Sequence, residues 1–143
     1  MEVNVMIDMV ASDAHDNWRA PRRIQGTDEY EARTKKTNDA KWIVLHGTDQ
    51  VDISNTAYPD LPSDWQAENR VSAEIAIREI TAAKKIDEQT VEMIASLIHD
   101  EWIKRNGGWA TPELKGSYGE LSEAEKEKDR FYVKRAIELC GLL

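Results

Sequence analysis

Apolar and polar residues alternate at the start of the chain, where Val3, Val5, Ile7 and Met9 are separated by mostly polar positions. That period of two predicts a strand with one buried face. The following stretch, ASDAHDNWRAPRRIQGT (residues 11–27), holds no sustained period and contains Pro21 and Gly26, which predicts loop with one turn around Trp18. NDAKWIVLHGTD reads two ways. Trp42 to Leu45 suit a buried strand, but Asn38 or Asp39 as N-cap and Gly47 just past the end bracket about two helical turns, and these signals favour a short helix. In VDISNTAYPDLP, Pro59 and Pro62 hold the residues before them extended, so an ordered, non-helical connector is expected.

From Ser63 the period changes to three and four. Ser63 or Asp64 can cap a helix running to about Lys84, with Ala73, Ala76, Ile77, Ile80 and Ala83 on one face and Trp65 and Val71 near its start. A second helix begins at Asp87, where Ile86 and Val91 can form a hydrophobic staple across the cap. Val91, Ile94, Ala95, Ile98 and Trp102 make its buried stripe, and Gly107-Gly108 is expected to end it through a left-handed residue. Ser122 and Glu125 stand at capping-box spacing for a third helix that buries Val133, Ala136, Ile137 and Cys140 before Gly141. EAEKEKDR is the solvated opening of that helix. No internal repeat stands out. The pattern predicts a mainly α fold, a small helical domain of three main helices plus a short one with a short β or irregular N-terminal arm. Residues 1–50 form the arm and short helix, and residues 51–143 the helical part of one compact domain.

Composition narrows the classes of function. A chain of 143 residues, 41% hydrophobic and 32% charged, is soluble and globular, and a domain of that size buries roughly 65 to 70% of its unfolded surface. The net charge of −8 repels a phosphate backbone, so no nucleic-acid partner is expected. The single cysteine, Cys140, excludes an intramolecular disulfide and a multi-cysteine zinc site. No stretch approaches the roughly 20 apolar residues of a membrane span, and the N-terminus lacks the pattern of a secretory signal. A cytoplasmic location is expected.

IHDEWIKRNGGW concentrates the candidate chemistry. His99, Asp100 and Glu101 resemble an acid/base cluster, but neighbours on a helix point about 100° apart, and the positions four before and after His99 are Ala95 and Ile103. His99 therefore has no co-ligand at helical spacing; it suits a histidine bonded to a neighbouring segment, with ligand contact as the alternative. His15 and His46 share no metal-binding spacing with it. Cys140 sits near the negative end of a helix, which disfavours a reactive thiolate. No G-x-S-x-G, P-loop or G-x-G-x-x-G motif occurs. The expectation is no enzyme, no catalytic residue, no metal and no cofactor. Of five tryptophans, Trp65 and Trp102 fit the core, while Trp109, after a glycine pair, is either one wall of a ligand site beside Tyr118 or a plug for the open end of the bundle.

Three stretches in order, Val51 to Asn69, Ile98 to Trp109 and Ser117 to Arg130, resemble the RyR domain, the small helical module repeated in ryanodine receptors and also found in bacterial and phage proteins. His99, Trp102, Gly108, Trp109, Tyr118, Leu121, Glu125, Lys126, Asp129 and Arg130 fall at the family spacing. Two departures stand out: an inserted helical hairpin separates Asn69 from His99, and the loop GGWATPELKGSY is shortened. The resemblance implies a non-catalytic module that binds a small ligand or nucleotide derivative. Trp109 would be its stacking surface and Tyr118 a second wall. Arg130 would meet a phosphate or carboxylate. His99 and Asp129 would complete the ligand-binding set, with Asp129 and Arg130 alternatively bracing the loop after Trp109. The competing expectation is a structural or interaction protein, an oligomeric subunit or adaptor without a small-molecule ligand, whose Val3 to Met9 strand pairs across an interface.

Overall fold

The computed structural model describes residues 1–141, and the fold is mainly α. In chain order the elements are α1 (Val3–Arg19), β1 (Thr34–Lys36), α2 (Ala40–His46), β2 (Gln50–Asp52), α3 (Ser63–Ala82), α4 (Glu88–Asn106), α5 (Pro112–Lys115) and α6 (Glu123–Leu139). Short 3-10 turns occupy Ala20–Arg22, Tyr58–Asp60 and Tyr118–Glu120. Two compact units divide the chain: one joins Met1–Val10 to the chain from Val71 onward, and the other is Ala11–Arg70. Their boundaries fall inside α1 and α3 rather than near residue 50.

The N-terminus departs most from expectation. Val3 to Met9 is no strand, and residues 11–19 are no loop, because both belong to α1. Its buried residues are Ile7, Val10, Ala11, Ala14 and His15, a helical stripe, whereas Val3 and Val5 are exposed. The apparent alternation ran for only a few residues before the longer stripe overrode it. A helical backbone has no free ladder edge to offer, so strand pairing across an interface falls away with it.

In the Ala11–Arg70 unit the β structure lies further along. β1 and β2 pair antiparallel, Thr34 opposite Asp52 and Lys36 opposite Gln50, with α2 between them. α2 forms as its caps foretold: the Asp39 side chain accepts from the Trp42 N–H at 3.2 Å, and Gly47 closes the helix at φ 70°. The connector 53–62 holds no α-helix but is not extended throughout: residues 53–56 bend, and Tyr58, the residue before Pro59, opens the turn Tyr58–Asp60, while Ala57 and Leu61 on either side of it are extended.

In the other unit α4 packs on α6 and on the turn Tyr118–Glu120. Asp87 caps α4 by accepting from Thr90 N–H at 2.9 Å, and Ser122 caps α6 by accepting from Glu125 N–H at 3.2 Å. Ile94, Ala95, Ile98 and His99 from α4 and Val133, Ala136 and Ile137 from α6 are buried. α4 does not stop on a left-handed glycine, since Gly107 keeps right-handed angles at φ −59°. Glycine is needed there for space: a Cβ on Gly107 would lie 2.7 Å from the Ile103 carbonyl oxygen. Trp65 and Trp102 are half-buried rather than core residues, and so is Cys140, whose thiol burial pushes above its ordinary pKa. Among the described residues no helix is long and apolar enough to cross a membrane.

The structure also exposes a duplication. Asp8–Trp18, DMVASDAHDNW, and Glu92–Trp102, EMIASLIHDEW, align without a gap, sharing methionine, alanine, serine, histidine, aspartate and tryptophan. Their buried positions coincide: Val10 with Ile94, Ala11 with Ala95, Ala14 with Ile98, His15 with His99. Further on, Tyr58, Leu61, Arg70, Ala76 and Ile77 match Tyr118, Leu121, Arg130, Ala136 and Ile137 in another ungapped register. Both tyrosines open a 3-10 turn, both leucines leave it extended and buried, and a long helix follows each. In this alignment α3 ends the first repeat and α4 begins the second.

Candidate functional site

Helical phase on α4 sets the site. His99 lies one residue past Ile98, on the flank of the buried stripe, and is 4% exposed. Its Nε2 donates to the Gly116 carbonyl at 2.8 Å, tying α4 to the segment that leads into Tyr118. A carbonyl can only accept, so this bond fixes the proton on Nε2. On the other side of the ring, Nδ1 is 3.9 Å from Asp129 Oδ2 of α6. Burial, with Glu125 adding repulsion, pushes the Asp129 carboxyl up to about 7. The tie to the segment after Trp109 is thus made by His99, with Asp129 facing the other edge of its ring.

Arg130 is the hub of a second cluster. Its Nε donates to both Glu92 carboxylate oxygens at 2.9 and 3.0 Å, its Nη2 also reaches Glu92, and its Nη1 bonds Glu123 and Glu127 at 2.8 Å each. The Tyr118 hydroxyl donates to the same Glu92 carboxylate. Bonds from Arg130 hold Glu92, Glu123 and Glu127 below the ordinary carboxylate range, and burial beside Glu92 raises the Tyr118 phenol. A phosphate approaching Arg130 would have to displace carboxylates already bonded to it. Tyr118 is buried, with the Lys126 ammonium 5.6 Å from its ring centroid, so it is no exposed wall.

Trp109 stands apart from that cluster and is linked through rings to His99 instead. It is 59% exposed, so it does not plug the end of a bundle. Its indole Nε1 donates to Asn106 Oδ1 at 3.1 Å, and its ring meets Trp102 edge-on at 5.8 Å between centroids. Trp102 in turn stacks beside His99 at 6.2 Å. Asp100 is exposed, and Glu101 pairs with Lys104 at 2.9 Å.

Sequence reasoning missed Glu92 and Asn106. Glu92 stands two turns before His99, hence on the same side of α4, and the acid Asp8 precedes His15 at the same spacing; that coincidence was the available signal. Asn106 is a buried amide closing the last turn, where its Nδ2 donates to the Trp102 carbonyl at 3.1 Å.

The first repeat builds a related arrangement. His15 is 3% exposed, bonds the Thr56 carbonyl at 2.8 Å through Nε2, and stacks beside Trp18 at 5.8 Å. Thr56 precedes Tyr58 as Gly116 precedes Tyr118. Among the described residues no group of three histidine, cysteine or carboxylate side chains is placed to hold a metal ion. No family model matches the chain, and no curated protein and no solved structure matches it.

Proposed function

We propose that the chain is a non-catalytic binding module of the RyR kind whose contact residue is Trp109. The observation that carries this reading is a tryptophan more than half exposed yet held by a hydrogen bond at Nε1 and an edge contact with Trp102. A fixed aromatic face loses little side-chain freedom on contact, which favours stacking of a planar small molecule, a nucleotide derivative among them. Recognition then falls to the indole rather than to Arg130, whose donors are engaged by Glu92, Glu123 and Glu127. Kinship with the RyR domain is supported by the recurrence, within this one chain, of H-D-x-W, of Tyr-x-acid-Leu and of Asn-Arg or Asp-Arg. A cytoplasmic setting belongs to the same proposal.

A second reading, an oligomeric subunit or adaptor, is favoured by Val44 and Leu45 on α2, which are 82% and 81% exposed. One set of samples tests both. Tryptophan emission and thermal shift are followed against adenine nucleotides and their cyclic derivatives, in the native chain and in Trp109→Ala. A saturable change lost in the variant supports the first reading, and no response across the panel removes it. Sedimentation over a concentration series addresses the second: self-association abolished by Val44→Ser with Leu45→Ser supports it, and a monomer throughout removes the homo-oligomer.

A further inference from the structure

The two repeats hold their turns with the same bond but with different neighbours. In the second, Nε2 of His99 carries the proton given to Gly116, so Nδ1 presents a lone pair toward Asp129 Oδ2 at 3.9 Å. An ionised carboxylate facing that lone pair is repelled, whereas a protonated Asp129 carboxyl can turn its O–H toward it. The charged groups around Asp129 do not cancel this. On α6, Glu125 opposes its ionisation and Lys128 favours it, and these two pair with each other at 3.0 Å. Arg130, next in sequence, is directed at Glu92, Glu123 and Glu127. α4 contributes His99, and the adjoining turn contributes the Gly116 carbonyl, with the Tyr118 hydroxyl turned to Glu92. In the first repeat the residue aligned with Asp129 is Asn69, which cannot ionise.

We propose that His99 and Asp129 form a pH-responsive latch on the turn that carries Tyr118, closed while the Asp129 carboxyl keeps its proton and loosened when it ionises, while the first repeat, with Asn69 at the matching position, shows no such loosening. Burial of Asp129 places the event near neutral pH, far above the usual range of a carboxyl. The latch acts on α4, α6 and the segment between them, and holds whether or not Trp109 meets a ligand.

NMR of the full, isotope-labelled chain between pH 5.5 and 8.5 tests it. The Asp129 carboxyl carbon should titrate near pH 7. Amide protection of Glu120 and Leu121, which donate within the turn to Ser117 and Tyr118, should fall about threefold or more from pH 6 to pH 8 after correction for intrinsic exchange. Asp60 and Leu61, the matching donors of the first repeat, should show no such fall. Asp129→Asn, which installs the first repeat's own residue, should flatten the response of Glu120 and Leu121. Asn69→Asp should impose the fall on Asp60 and Leu61. A carboxyl that ionises below pH 5, a fall that persists in Asp129→Asn, or a first-repeat turn unmoved by Asn69→Asp would overturn the latch.

Discussion

The first repeat, from Asp8 through α3, and the second, from Glu92 through α6, use the same buried stripe, the same histidine bond and the same tyrosine turn, yet surround them differently. In the first, the Arg22 guanidinium lies 4.0 Å from the Trp18 ring centroid and donates to the Trp18 carbonyl, and Arg19 lies over Tyr30 at 4.6 Å. In the second, Trp102 meets Trp109 instead, and the Trp109 ring stands in solvent. The connection from Trp18 to Tyr58 carries β1, α2 and β2, while that from Trp102 to Tyr118 carries only α5. Packing and the turn are what the fold requires of each copy. Loop length, the ring partner and the residue at position 69 or 129 are where the copies were free to diverge, because none of them sits in the shared stripe.

The equivalence is broken most forcefully in the core. Ile94→Ala should cost about 3 kcal/mol in urea denaturation, and Val10→Ala at the matching position about 0.8 kcal/mol less, since one methylene fewer is removed. If Val10→Ala cost nothing, the two stripes would not be equivalent. Arg130→Ala should cost clearly less than Ile94→Ala, because Glu92 is 41% exposed and solvent screens part of the pair. Its mark would be loss of protection at Glu120 and Leu121 with Asp60 and Leu61 unchanged.

The smallest effect sharpens the comparison by sign. Burial lowers the His15 pKa, so its contribution to stability is present above the ordinary histidine value of 6.5 and is lost as pH falls below it. Asp129 works in the opposite sense: its folded value of about 7 exceeds the ordinary 3.8, so its contribution is present below 3.8 and is lost as pH rises through 7. Denaturation of His15→Gln at several pH values should therefore show a shallower loss on the acid side and an unaltered alkaline side. An identical acid limb would remove His15 from the account.

Much of the second repeat was legible in the chain. Asp39, Asp87 and Ser122 cap their helices as their positions foretold, and Ile94, Ala95 and Ile98 of α4 are buried where their period put them, with Val91 and Trp102 only half-buried, because caps and periods are local. The N-terminal helix was not legible, since Val3 to Met9 fits a period of two and of 3.6 almost equally over so few residues. The duplication is masked in the chain because the two matching blocks sit in different registers, separated by connections of unequal length. Of the five candidate site residues, His99 was placed by phase alone, as a buried imidazole bonded to a neighbouring segment. The surroundings of Tyr118 and Arg130 were not, because Glu92, which binds both, is distant from them in sequence.

The chain alone sets the caps of α2, α4 and α6 and the apolar faces of α4 and α6, since each depends on neighbours within a turn or two, whereas Ser63 and Asp64, expected to cap α3, lie inside it. Only the tertiary structure decided that Arg130 would be engaged by carboxylates, that Trp109 would stand in solvent and that Asp129 would meet a histidine lone pair. Those outcomes depend on which segments are brought within a few ångströms of one another, and packing of the whole chain sets that distance.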